Sequence, residues 1–177
     1  GRLLRLGIQA YSLGISYEFD PYFGLSISRV DPLPHQLEAI YDYLLKLARV
    51  RFLLADDAGA GKTIMAGLLI RELKLRGLAE RILVVCPATL AFQWQRELKE
   101  KFDERFLVLR GGDIRDQFGV NQWLENDRII TSLDLAKRTE ILPGLHQVHW
   151  DLVIVDEAHR MSWTPPSRKT ARYALGE

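Results

Sequence analysis

The chain has 177 residues, 47% of them apolar and 27% charged, with a formal net charge of +1. That length supports one domain with a sizeable core, and that composition excludes wholesale disorder. The charge is too small to attract nucleic acid through bulk electrostatics, so such a partner has to be recognised by a local site.

Residues 1–33 read as an N-terminal arm or extension. Within them "YEFDPYFGLSISRVDPLP" mixes aromatics, prolines and alternating apolar residues, the texture of short strands or an extended arm packed on a domain. From Pro34 the pattern changes, and residues 34–177 read as one α/β domain. "HQLEAIYDYLLKLARV" places Leu37, Ile40, Tyr41, Leu44, Leu45 and Ala48 at helical spacing. "RFLLA" is a short apolar run leading into the loop at 56–61. "KTIMAGLLIRELKLRG" is then a helix closed by Gly77, with basic residues in its last turns.

"RILVVC" (81–86) is a buried strand ended by Pro87, and "ATLAFQWQRELKEKF" is a helix with Leu90, Trp94, Leu98 and Phe102 on one face. "RFLVLRG" (105–111) is a strand stopped by Gly111 and Gly112. Helical texture in "IRDQFGVNQWLEN" precedes a strand at 127–132, a short helix in "LDLAKRTEIL", and the apolar strand of "WDLVIVDEAH" (150–159). Strands alternating with helices of ten or more residues mean a mostly parallel sheet flanked by helices. Ligands gather at the carboxyl ends of such strands, so the breaks at 56–63, 87–89, 110–113, 131–134 and 156–159 should share one edge.

Cys86 is the only cysteine, which excludes an internal disulfide and fits a reducing compartment. No apolar run approaches the roughly 20 residues needed to span a membrane, and no membrane partner is expected.

Two stretches carry chemistry. "ADDAGAGKT" (55–63) places Gly59 and Gly61 between a strand and a helix that begins near Lys62, so backbone N–H groups converge at a helix N-terminus and form an anion site. It lacks the first glycine of the strict phosphate-loop pattern, Asp56 standing in that place. Gly59 and Gly61 can still supply the sharp angles and the close backbone approach. Lys62 can reach the outer phosphates of a nucleotide, and the Thr63 hydroxyl can ligate Mg²⁺. "LVIVDEAH" delivers Asp156 and Glu157 to the sheet edge on an apolar strand. Adjacent residues point in different directions, so Asp156 can hold Mg²⁺ while Glu157 acts as general base on a water.

"AGAGKT" and "VDEAH" together make the chain similar to the first RecA-like lobe of superfamily 2 helicases and translocases, within them the Swi/Snf-type ATPases. The bacterial RNA-polymerase-associated remodeller and its relatives resemble it in "LADDAGAGKTIMAGLLIREL". That family carries an aspartate where Asp56 stands, while Asp57 departs from its usual glutamate and Ala60 from its usual leucine. The resemblance implies an ATP-binding loop formed by Asp57, Ala58, Gly59, Ala60, Gly61, Lys62 and Thr63, with ATP and Mg²⁺ as cofactors and Thr63 and Asp156 as the metal residues. In "PLPHQLEAI" it implies that Gln36 reads the adenine. It further implies nucleic-acid contacts at Pro87, Ala88 and Thr89 in "CPATLAFQWQREL", at Gly111 and Gly112 in "RGGD", and at Thr131 and Ser132 in "ITSLD". His159 would couple the nucleotide site to a second lobe. A plain turn is the other reading of the glycine pair. Trp94 offers a face for base stacking, but its place in the apolar stripe favours core packing. His35, His146 and His149 lack metal-ligand spacing, and the basic cluster at Arg160, Arg168, Lys169 and Arg172 reads as a solvated tail.

The family pattern continues with a strand ending in a Ser-Ala-Thr or Gly-Thr-Pro type motif and a second RecA-like lobe that supplies an arginine finger, worth roughly 10³–10⁵ in rate. Neither occurs before Glu177, so the chain is expected to be a piece of a larger motor and nearly inactive by itself. The expectation is a cytoplasmic, prokaryotic protein whose partners are double-stranded DNA and that second lobe. Its function would be ATP-driven movement on duplex DNA, the alternatives being a DEAH-type RNA or DNA helicase and a non-catalytic nucleotide switch.

Overall fold

The computed structural model describes residues 20, 22–47, 53, 61–115 and 120–161, without the side chains of 115, 160 and 161. The chain divides into two compact units, 1–75 and 76–177.

In the first unit, helix α1 (Phe23–Ser26) is a single turn where the sequence suggests strands or an extended arm. Its start is set by Asp20, whose carboxylate accepts from Tyr22 N and Ser26 Oγ and so favours a turn over extension. Helix α2 (Pro34–Leu37) has proline at its start, where the missing N–H costs nothing. It runs into a wide π turn at Glu38–Tyr43 and a 3₁₀ turn at Leu44–Lys46, so the helix expected after Pro34 exists but is irregular. Ile40, Tyr41 and Leu44 are its buried apolar residues. Helix α3 (Lys62–Leu75) is regular and buries Met65, Ala66, Leu68, Leu69 and Ile70.

Near the start of the second unit stands Gly77 at φ 66°, the left-handed residue that follows a helix end. Four parallel strands follow, β1 (Ile82–Cys86), β2 (Leu107–Leu109), β3 (Arg128–Ser132) and β4 (Leu152–Val155), in the spatial order β2-β3-β1-β4. In register, Ile82 faces Arg128 on one side and Leu152 on the other, and Val108 faces Ile130. β1 is interior to the sheet and buried at every residue, as an unbroken apolar run between Arg81 and Pro87 requires.

A 3₁₀ turn at Ala88–Leu90 leads from β1 into helix α4 (Ala91–Phe102). Ala91, Trp94, Leu98 and Phe102 are its buried face, and it packs on β2 and β3. Asp103, in the left-handed conformation at φ 54°, ends it. Short helices α5 (Gly111–Arg115), α6 (Gln122–Glu125), α7 (Leu133–Ala136) and α8 (Leu142–His146) connect the remaining strands. Leu83, Val85, Leu109, Trp123, Ile129, Leu133, Leu145 and Val148 belong to one continuous apolar cluster. Since all four strands run parallel, the segments that follow them, 87–90, 110–113, 132–134 and 156–159, lie along one edge of the sheet.

Candidate active site

In the first unit the described part of the glycine loop is its end. Gly61 has φ 79°, a left-handed conformation that a side chain disfavours. Its carbonyl accepts from Ile64 N at 2.8 Å and Met65 N at 3.2 Å, which starts α3. Lys62 and Thr63 form the first turn, both half-buried, at the positive end of the helix dipole. Gln36 is 2% exposed and its Oε1 accepts from Leu33 N at 2.9 Å. A Cβ on Gly61 would collide with Gln36 Nε2, so the structure brings Gln36 and the loop end together, with room only for glycine between them. Asp57, Ala58, Gly59 and Ala60 lie outside the described residues, as do all but Leu53 of the strand expected at 51–55 and the basic residues Arg168, Lys169 and Arg172.

The acidic pair of the second unit sits where β4 ends. Asp156 N donates to Val85 O at 2.8 Å, extending the ladder to β1 by one bond. Glu157 has φ 57°, which costs a non-glycine residue about 1–3 kcal/mol and persists only where surroundings enforce it. Both carboxylate oxygens of Asp156 enforce it or are held themselves: Oδ1 accepts from Glu157 N at 2.9 Å, and Oδ2 accepts from Trp94 Nε1 at 3.0 Å. The Glu157 carboxylate lies beside His159, whose Nδ1 is 3.4 Å from Glu157 Oε2. Burial pushes the Cys86 thiol up to about 12, with the Asp156 charge adding to it, so this cysteine is a neutral packing group at physiological pH.

The remaining edge residues differ in what they present. Ala88 and Thr89 are exposed and Pro87 is half-buried. Gly111 and Gly112 open α5 rather than forming a loose turn, because Asp113 Oδ2 accepts from Arg110 N at 2.9 Å and caps that helix start. Thr131 is fully buried and its hydroxyl donates to Leu109 O at 3.2 Å. Ser132, half-buried, accepts from Leu135 N at 3.1 Å and caps α7. At the same edge the Arg110 guanidinium lies 5.8 Å from the centre of the Phe92 ring, both side chains being exposed.

Taken unit by unit, the donors are hard oxygens and backbone N–H groups, the kinds that suit Mg²⁺ and phosphate. In the second unit Asp156 is a hard oxygen donor that is half-buried and keeps a lone pair on each oxygen after its two hydrogen bonds; in the first, Thr63 carries a half-buried hydroxyl at the start of α3. The Gly61 turn has no room for a Cβ, and bare backbone at a helix start is the kind of surface that suits a phosphate.

Sequence reasoning gave Trp94 to the core, where it is, but missed its bond to Asp156. The signal was available, since a buried indole N–H requires an acceptor. Phe92 and Arg110 were missed because nothing in their spacing sets them apart from ordinary surface residues.

No helix among the described residues is long and apolar enough to cross a membrane. The fold is similar to that of the Sulfolobus solfataricus SWI2/SNF2 ATPase core in complex with dsDNA, at 22% identity and a TM-score of 0.65. The match covers 84% of this chain and 30% of that one, so the chain spans less than a third of the larger protein. The architecture is accordingly RecA-like, a parallel sheet flanked by helices. The family model for the SNF2-related domain matches residues 35–174, which include Gly61–Thr63, the strand edge and the acidic pair, and the chain belongs to that family.

Proposed function

We propose that the chain is the ATP-binding lobe of a DNA-dependent ATPase that moves along double-stranded DNA. The observation that carries this reading is the Asp156–Glu157 turn. Two adjacent carboxylates are set at the end of a parallel strand, the second in a left-handed backbone conformation, and they take different partners: Trp94 and the Glu157 N–H for Asp156, His159 for Glu157. A structural strand end has no use for that strain, whereas a hydrolytic site needs one carboxylate for metal and another for water.

The roles follow from the side chains. Lys62 and the start of α3 bind the outer phosphates, with Asp57 to Gly61 completing the loop and Gln36 recognising the adenine. Thr63 and Asp156 hold Mg²⁺, which when bound neutralises charge on the phosphate oxygens. Glu157 accepts the proton of the water that attacks the terminal phosphorus, and the P–O electron pair leaves with ADP. His159, beside Glu157, relays its state to a second lobe. Duplex DNA crosses the edge formed by Pro87, Ala88 and Thr89, Gly111 and Gly112, and Ser132. Thr131, whose hydroxyl is already engaged within the sheet, supports that edge from beneath. The SNF2-related family and the DNA complex of the Sulfolobus relative support this choice of nucleic acid.

The test is ATP turnover by the intact protein with and without duplex DNA. Duplex should stimulate turnover, and Glu157→Gln should lower kcat by about 10²–10⁴ while ATP still binds. Absence of stimulation by duplex DNA refutes the motor, and undiminished turnover in Glu157→Gln refutes the assigned base.

A further inference from the structure

The Asp156 carboxylate is pinned by two elements that the sequence separates widely. Its own chain supplies one anchor, the Glu157 N–H on Oδ1, and helix α4 supplies the other, the Trp94 indole N–H on Oδ2 at 3.0 Å. A carboxylate held by one oxygen swings about that contact, but one held by both has a fixed plane and fixed free lone pairs. Trp94 can perform this task because it is itself immobile. It is 5% exposed, and it lies on the α4 face whose neighbours Leu98 and Phe102 are 0% and 1% exposed. Its N–H can only donate, so it cannot compete with a cation for Asp156 by reversing its role. A hydrogen bond to an ionised acceptor is also about twice as strong as a neutral one, so the indole holds that oxygen firmly.

We propose that Trp94 is a positioning residue for Asp156, fixing the plane in which that carboxylate meets a divalent cation. The proposal rests on the reading of Asp156 as the metal carboxylate. It gives α4 a second task besides packing. The helix starts at the 88–90 turn on the strand edge, and Trp94 stands about one turn further along, so the set of the carboxylate follows the set of that edge.

The test is Mn²⁺ uptake in the presence of ATP, followed by the electron paramagnetic resonance of free Mn²⁺. The intact protein would be compared with Trp94→Phe and with a variant carrying 3-benzothienylalanine at position 94, which keeps the ring volume and replaces N–H by sulfur. Both variants should bind Mn²⁺ about tenfold more weakly, with metal-free ATP affinity unchanged. Unchanged Mn²⁺ affinity in the sulfur variant overturns the positioning role. An equal loss of metal-free ATP affinity also overturns it, since that outcome marks general damage. If the unaltered protein takes up no Mn²⁺ with ATP, the metal assignment of Asp156 fails first and the inference falls with it.

Discussion

Residues 82–155 enclose an apolar cluster of leucine, isoleucine, valine and tryptophan, whereas residues 20–75 bury Gln36 and Glu72 among their apolar side chains. The sheet unit has a ladder of backbone bonds across four strands, so the residues of its apolar cluster pack mainly by shape. Its buried carboxylate, Glu104, stands ahead of β2 with Arg128 Nη1 at 3.3 Å, at the strand entries rather than inside. The described residues of the first unit are helical, two short helices and the longer α3, with no strand ladder among them. Side-chain acceptors join them instead: Glu72 Oε1 accepts from Tyr41 Oη at 2.6 Å and from Gly24 N at 2.9 Å, tying α1 and the π turn to α3. Gly24 has to be glycine there, because a Cβ would strike that carboxylate. One unit is held by shape and the other by polar anchors, and substitutions can tell the two apart.

The largest effect is expected at Trp123, 2% exposed within the apolar cluster. Trp123→Ala should cost about 3–5 kcal/mol, the lost burial adding to an unfilled cavity. Denaturant unfolding followed through amide exchange of β1 would measure it. A loss below 1 kcal/mol would mean that the cluster collapses around the hole and that shape is not what holds the sheet.

Glu72 tests the other unit. Glu72→Ala leaves the Tyr41 hydroxyl and the Gly24 N–H without this acceptor and should cost about 2–3 kcal/mol. Glu72→Gln keeps a carbonyl oxygen in place and should cost about 1 kcal/mol. Exchange protection of the Gly24 amide should fall in the first variant and survive in the second. Equal losses in both would assign Glu72 a charge role rather than an acceptor role.

This contrast also explains what was legible in the residues. β1 announces itself as an unbroken apolar run, and α4 as a stripe at every fourth position, since both are packed by shape. β2 shrinks from the seven residues expected at 105–111 to Leu107–Leu109, because pairing with β3 begins only at Leu107 opposite Ile129. The π turn was not foreseeable from apolar spacing. It accompanies the reach of Tyr41 to Glu72, and a contact between residues 31 apart in the chain leaves no local pattern. The same holds at the site. The glycines, Lys62 and the acidic pair are read from neighbours in sequence, whereas the Trp94–Asp156 bond spans 62 residues and emerges only from the fold.

The smallest effect is expected at the amino edge of the sheet, where a polar anchor serves the unit that otherwise relies on shape. Asp151 Oδ2 accepts from Arg81 N at 2.8 Å and Glu80 N at 2.9 Å, joining the chain ahead of β4 to the chain ahead of β1. Those two backbone bonds, Arg81 first, hold its carboxyl below the usual carboxylate range. A depressed pKa means that the folded state prefers the ionised form. The stabilisation is therefore present above the unfolded-state value and disappears as pH falls through the folded one. Asp151 is exposed, so solvent screening limits the contribution to about 0.5 kcal/mol. Asp151→Ala should be less stable than the unaltered protein at neutral pH, and the gap should close on acidification as the carboxyl of the latter protonates. Stability measured for both proteins from pH 7 downward would check this. A gap that stays constant across the range would mean that Asp151 acts through packing rather than through its charge.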